Sequence, residues 1–296
     1  MNSKSYNDSV SVQSWLSLLL LSLVWGSSFI LMKKSLVALS SPQLAGIRIA
    51  LASLCFLPIA LYTRKKVDWS RWDKIALVGV LGSGIPAILY AFAQTKINSS
   101  ISGILNSLTP IFTFIIGLLF FAMPFDKIKF AGVLIGFLGA VSLVYNDNIS
   151  NDSSQLLYAG LIVIGTMCYG FSVNIINKYL KDISALVVSS YSFVFIGFFA
   201  WTYILFFSDF STAMENPYFI KSLEAVSVLS IFGTFLSSIV FFQLVKKTDA
   251  VFASSVAYLI PIVALMWGYF DGEILGLNHV ISMLVIILGV YLIRKK

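Results

Sequence analysis

Apolar side chains fall along this chain in ten continuous runs separated by short polar stretches. They cover roughly residues 14–35, 42–62, 73–95, 98–121, 127–145, 156–178, 185–207, 222–245, 248–270 and 275–293. A helix needs about 20 predominantly apolar residues to cross the hydrocarbon core of a bilayer, and each run approaches that length. The strands of a membrane barrel would leave alternating segments of about 10 residues instead. The pattern therefore predicts an all-α integral membrane protein with ten transmembrane helices. The lead-in to the first run is polar and barely basic, and no small-residue cleavage site follows, which favours a retained helix over a signal peptide.

Composition excludes the other classes. Of 296 residues, 58% are apolar and 11% charged, with a mean hydropathy of +0.92. A soluble domain carries about 25% charged residues, and this little charge cannot cover a soluble surface. Disorder is excluded by 25 Phe, 13 Tyr and 6 Trp. Cys55 and Cys168 both sit in apolar runs and read as small buried hydrophobes. The net charge of +7 would suit a nucleic-acid binder, but its placement suits a membrane. With the N-terminus in the cytoplasm, 15 of the 20 Lys and Arg fall in cytoplasmic segments and only Lys33, Lys34, Lys96 and Lys221 fall outside. Both termini are thus expected in the cytoplasm, and no loop is long enough for a nucleic-acid-binding domain.

The chain also repeats itself. Leu23-Val24-Trp25-Gly26-Ser27-Ser28-Phe29 aligns with Met167-Cys168-Tyr169-Gly170-Phe171-Ser172-Val173 at a shift of 144. At a shift of 151, Asn106–Pro110 meets Ala257–Pro261, Lys96 meets Lys247 and Gly117 meets Gly268. The difference fits a longer loop around 208–221. Each copy holds five runs, an odd number, so the second enters the membrane from the opposite side. The expected organisation is a tail 1–13, a five-helix repeat 14–146, an outer linker 147–155, an inverted repeat 156–293 and a basic tail 294–296. Inverted repeats of this kind underlie alternating access around a site near the midplane. A membrane-embedded enzyme would want a cluster of acids, histidines or a nucleophile–base pair, and a scaffold would not need paired Pro and aromatic positions. A secondary transporter is the leading reading.

Over about residues 15–293 the chain resembles the drug/metabolite transporter superfamily, specifically its ten-helix EamA-like members. The likeness lies in Trp25-Gly26-Ser27-Ser28-Phe29 with Lys34, in Pro42 and Arg48, in the Ser/Gly-rich approach to Pro110, and in the stretch leading to Pro261. The second copy departs from the first in having Tyr169 for Trp25 and Ser192 for Arg48. The resemblance implies a bacterial inner-membrane carrier without a cofactor, usually an exporter of amino acids or other small metabolites.

Candidate site residues follow from polarity at depth. A charge at the bilayer centre costs about 2.5–3.5 kcal/mol on insertion scales, and Arg48 is the one cation well inside a run. It reads either structurally, snorkelling to the outer interface or binding backbone carbonyls at a broken helix, or functionally, as an outer-gate residue or a partner for a substrate carboxylate. No Asp or Glu lies deep within a run, Asp73, Glu224 and Asp249 standing in the first three residues of theirs, which argues against a proton relay; Asp271, Glu273 and His279 near the outer mouth leave proton coupling open. Trp25 and Ser28 share a helix face, as do Tyr169 and Ser172, and Tyr90 and Gln94. With Asn106 and Tyr258 they are the expected substrate contacts. Gly82, Gly84 and Pro86 mark a flexible third helix rather than a phosphate loop, since no Lys-Ser/Thr follows. Pro110 and Pro261 should free the carbonyls of Asn106 and Ala257, tolerable only against protein or a wet cavity. Gly132, Gly136 and Gly139 read as a packing face. The expected partners are a small-molecule solute and the lipid bilayer, with no metal and no nucleic acid; the sequence does not choose between monomer and homodimer.

Overall fold

The computed structural model describes residues 11–97, 99–144, 153–270 and 277–294. Each apolar run contains helix, and the described residues include no strand. The first half comprises α1 (Val12–Ser35), α2 (Ser41–Thr63), α3 (Trp69–Ala93), α4 (Ser99–Asn106), α5 (Thr109–Phe120) and α6 (Lys127–Val144). The second comprises α7 (Ser153–Tyr179), α8 (Ala185–Phe206), α9 (Phe219–Lys247), α10 (Ala250–Ser254), α11 (Val256–Phe270) and α12 (Leu277–Arg294). Among the described residues six helices are long and apolar enough to cross a membrane: α1, α2, α3, α8, α9 and the Leu156–Tyr179 part of α7. Shorter apolar helices lie at Thr109–Phe120, Ala250–Val263 and Val280–Arg294.

Local chemistry explains where helices start and break. Ser40 and Gln43 form a reciprocal capping box at the start of α2, with Pro in the first turn, where its missing N–H costs nothing. Asp249 caps α10 by accepting from the Val251 and Phe252 N–H groups at 3.0 Å each, and it pairs with Lys129 at 3.0 Å. The fourth and ninth runs are each divided, at Ser107–Leu108 and at Ser255. Both breaks lie upstream of the prolines expected to cause them: Pro110 sits in the first turn of α5, and Pro261 lies inside α11. Two further irregularities are π-helical stretches, Val80–Gly84 within α3 and Leu229–Leu236 within α9. The first holds Gly82 and Gly84, with Pro86 opening the regular helix beyond it.

Helix contacts come in matching pairs. α1 packs on α11 as α7 packs on α5, and α3 packs on α7 as α9 packs on α1. The two largest interfaces, α2 on α8 and α6 on α12, each join a helix to its counterpart. The residues agree: a Cβ on Gly82 would meet the Ser172 hydroxyl, and one on Gly233 would meet that of Ser28. Gly26 lies against Val263, and Gly170 against the backbone at Phe112 and Thr113. Gly197 closes on Ser53, its own equivalent at a shift of 144, so the relation between the halves passes through this contact.

Apolar side chains such as Phe56, Phe114 and Phe193 fill the interior, but they also cover the outside, and small polar residues share the interior with them. Leu16, Leu19, Phe198, Phe206 and Leu284 are exposed, whereas Ser14, Ser35, Thr113, Ser189 and Ser192 are buried. Apolar side chains gain nothing by leaving lipid, so small and hydrogen-bonding residues collect where helices meet. Gly132, Gly136 and Gly139 fulfil this within the chain, against Gly289, Tyr258 and Ile286.

Glycine at these contacts is required by space. Gly289→Ala is expected to destabilise by about 1–3 kcal/mol through overpacking against Gly136. Gly160→Ala, with nothing within 4 Å of a new Cβ, should be neutral or slightly stabilising. Unfolding of the detergent-solubilised variants checks both; equal stabilities would contradict the packing described.

Candidate functional site

Between the paired helices lies a cavity to which both halves contribute. It offers about 120 Å³ to the centres of water-sized spheres, room for several waters or part of a small solute. From the first half it is lined by Trp25, Ser28 and Met32 of α1, Arg48 of α2, Gly82 and Tyr90 of α3, and Asn106. Tyr169 and Ser172 of α7, Gly233, Thr234 and Phe241 of α9, and Ala257 complete it from the second.

Aromatic rings form two opposed walls. Trp25 packs on Phe241 with ring centroids 5.1 Å apart, and Tyr90 on Tyr169 at 5.9 Å. The two pairs are counterparts, because Tyr90 and Phe241 correspond at a shift of 151. Their polar groups differ. The Trp25 indole donates to the Gly233 carbonyl at 3.0 Å, whereas the Tyr90 hydroxyl donates to Asn106 Oδ1 at 2.7 Å. With its oxygen so occupied, the Asn106 amide keeps an NH2 that makes no hydrogen bond among the described residues.

Arg48 supplies the cation. Its Nε donates to the Thr234 hydroxyl at 2.8 Å, and Nη1 approaches Met32 Sδ at 3.9 Å, a weak acceptor. The ion pairs among the described residues join Arg71 to Asp68 and Asp182, Lys74 to Asp73, and Lys129 to Asp249; none involves Arg48. The guanidinium carries five donors, so most of its capacity faces the cavity unmet. Thr234 in turn donates to the Leu229 carbonyl at 3.3 Å, five residues back, as the π-helical winding of α9 dictates.

The broken backbone is closed by hydroxyls. The Asn106 carbonyl accepts from Thr109 Oγ1 at 2.7 Å. That of Ala257 accepts from Ser107 Oγ at 3.2 Å, which carries the tie from the α4–α5 break across to α11. The two carbonyls expected to be freed are thus met by protein.

Seven of the expected contacts share the cavity: Trp25, Ser28, Arg48, Tyr90, Asn106, Tyr169 and Ser172. Two do not. Tyr258 is fully buried behind the wall, donating to the Val133 carbonyl at 2.6 Å and stacked on Gly136. Gln94 lies one turn beyond Tyr90, off the lining. Of the expected hinge residues only Gly82 lines the cavity; Gly84, Pro86, Pro110 and Pro261 do not. Asp271 and Glu273 lie outside the described residues. Thr234, Gly233, Phe241, Ser107 and Thr109 were not singled out from sequence, although the shift of 151 carries Gly82 to Gly233 and Tyr90 to Phe241. Among the described residues no cluster of three metal-ligating side chains occurs.

Away from the cavity, Arg71 ties the α2–α3 connection to the α7–α8 connection through Asp182 at 2.7 Å and the Tyr179 carbonyl at 2.9 Å. The hydrogen bond from Arg71 holds the Asp182 carboxyl below its ordinary range. The equivalent connections at the other end are tied by neutral groups: Asn216 Nδ2 donates to the Val37 carbonyl at 3.1 Å and Gln43 Nε2 to that of Asp209 at 2.7 Å.

Comparison with known proteins places this geometry. The sequence profile of the EamA-like transporter family matches residues 13–145 and again 156–295. An uncharacterized transporter of Archaeoglobus fulgidus is 24% identical over 96% of this chain and 100% of its own length. The uncharacterized inner membrane transporter YedA of Escherichia coli is 22% identical over 94% of this chain and 89% of its own. The uncharacterized transporter YdfC of Bacillus subtilis is 24% identical over 95% and 90%. A protein of known crystal structure superposes with a TM-score of 0.72 at 14% identity, covering 96% of both chains.

The hydroxyl closures are expected to carry measurable stability. Ser107→Ala and Thr109→Val should each cost about 0.6–1.5 kcal/mol, by leaving a buried carbonyl unmet. Reversible unfolding in mixed micelles measures this; wild-type stability in both variants would remove the role given to the hydroxyls.

Proposed function

Because the chain belongs to the EamA-like transporter family, we propose that it moves a small organic solute across a bacterial inner membrane by alternating access. Ten membrane-spanning helices form two inverted five-helix repeats, with both termini cytoplasmic. The divided runs, α4 with α5 and α10 with α11, each count as one span. The two halves rock about the α2–α8 contact at Ser53 and Gly197, so that the cavity opens first to one side and then to the other. The solute is an amino acid or a related carboxylate-bearing metabolite, and export is the favoured direction.

One observation carries this reading: a cavity walled by both halves holds a cation with no carboxylate partner among the described residues. An arginine in such a place is costly unless something anionic visits it. A solute carboxylate supplies the missing acceptors, and guanidinium geometry favours two parallel bonds to it. Trp25, Phe241, Tyr90 and Tyr169 then enclose the solute's apolar body, and the Asn106 amide offers a donor. This polarity sets binding strength without a buried carboxylate on the protein.

The test is counterflow of labelled metabolites into liposomes holding the purified protein, with and without a pH gradient. Carboxylate-bearing solutes should exchange. Trp25→Ala, Asn106→Ala and Arg48→Gln should each reduce exchange by about tenfold or more, the equivalent of about 1.4 kcal/mol, with insertion intact. Arg48→Lys should retain more exchange than Arg48→Gln. Undiminished flux in both Trp25→Ala and Asn106→Ala would count against the cavity as the binding site.

A further inference from the structure

Two polar side chains lie buried without partners one helical turn beyond the Tyr90–Asn106 hydrogen bond. Both amide atoms of Gln94 and the Ser102 hydroxyl are shielded from solvent and make no hydrogen bond. Ser102 is wholly buried. Protein interiors seldom leave such groups unmet, and exceptions call for an explanation. Gln94 follows Tyr90 by four residues, and its N–H donates to the Tyr90 carbonyl at 3.0 Å, so the helical turn continues to it. Ser102 precedes Asn106 by four residues on α4. Residues four apart share a helix face, so Gln94 and Ser102 continue outward the same two faces that Tyr90 and Asn106 bring into contact. In the orientation proposed above they lie on the outer side of that bond.

We propose that Gln94 and Ser102 form a second, outer binding station on the solute's route, and that the Tyr90–Asn106 hydrogen bond is the gate between this station and the Arg48 cavity. The proposal rests on the transport reading. The donor and acceptor inventory selects the ligand's chemistry: Gln94 Nε2 and Ser102 Oγ offer protons, and Gln94 Oε1 accepts one. A group that presents acceptors beside a donor, as an amino carboxylate does, satisfies all three atoms together. A simple anion leaves Oε1 unmet, and an apolar solute leaves all three. When the gate opens, Tyr90 and Asn106 release each other and the solute's carboxylate passes from Arg48 to the outer station.

Cysteine accessibility tests this without knowledge of the solute. In a full-length background carrying Cys55→Ser and Cys168→Ser, single variants Ser102→Cys, Ser28→Cys and Ala140→Cys are exposed to the membrane-impermeant thiol reagent MTSES from outside intact cells. Ala140 is fully buried in the core and serves as the inaccessible control. Ser102→Cys and Ser28→Cys should react about tenfold or more faster than Ala140→Cys, the separation expected of sites that open locally. Adding Tyr90→Phe, which removes the gate bond, should speed Ser28→Cys by about three- to tenfold. Gln94→Leu should slow Ser102→Cys, through loss of a donor to the sulfonate, without lowering thermal stability. If Gln94 were only a packing residue, the substitution would leave the labelling rate unchanged. Reaction at Ser28→Cys with none at Ser102→Cys overturns the station and leaves the cavity reading standing. Silence at both overturns the route from outside altogether, and an unchanged Ser28→Cys rate in Tyr90→Phe overturns the gate.

Discussion

A backbone carbonyl or amide in a bilayer has no water to turn to, and this constraint organises the whole molecule. Regular helices satisfy it automatically. Among the described residues the apolar runs depart from regular helix at four places, the breaks at Ser107–Leu108 and Ser255 and the π stretches in α3 and α9. Donors lie near them, Ser172 reaching the Val78 carbonyl beside the α3 stretch at 3.4 Å. Thr109 and Ser107 meet the carbonyls at the α4–α5 and α11 sites, and Trp25 meets Gly233. Thr234 and Ser237 reach back five residues to Leu229 and Phe232. Asn174 spans α7 and α5 with two bonds, to the Gly170 and Thr113 carbonyls. The same hydroxyls and amides that repair the backbone line or adjoin the cavity, so the polar character of the site and the irregularity of its helices have one origin.

The glycines complete the design by letting the irregular segments approach. Gly82 and Gly233 bring the π stretches against Ser172 and Ser28, and a Cβ there would force the opposing hydroxyl to shift. These contacts occur twice, once from each half. Under the transport reading proposed above, a small rotation that loosened one set would tighten the other, as a two-state carrier needs.

The sequence made much of this legible. Apolar run length located the helices, since continuous runs of about 20 residues have few alternatives in a membrane. The shifts of 144 and 151 exposed the pairing, and Trp25, Tyr169, Ser28 and Ser172 converge as their spacing suggested. Other features depended on three-dimensional context. Tyr258 is expected from sequence as a substrate contact, but its ring packs on Gly136 of α6 and its hydroxyl serves Val133 instead. The prolines pointed to the right segments but not to the break points, because Pro is compatible with the first turn of a new helix and α5 uses Pro110 there. Thr234 was not apparent as Arg48's partner, because they stand 186 residues apart and a threonine in an apolar run ordinarily bonds its own helix.

What distinguishes the two halves is a small set of contacts that the repeat does not duplicate. Trp25 holds one π stretch through its indole, whereas Tyr169, its counterpart, packs on Tyr90, whose hydroxyl goes to Asn106. Arg48 has Ser192 as its counterpart, so the cation belongs to one half only. The end clamps differ too: the one through Arg71 and Asp182 is ionic, and the one through Asn216 and Gln43 is neutral. Since Arg71 lowers the Asp182 pKa, the ionic clamp contributes fully above the carboxyl's ordinary range and is lost as pH falls through the lowered value. At physiological pH it therefore helps to hold that end together, and exposed as it is, its contribution is modest and screened by salt. Near-symmetry pairs most of the helix contacts, and the unduplicated residues set the differences between the two halves, the single cation of the cavity among them.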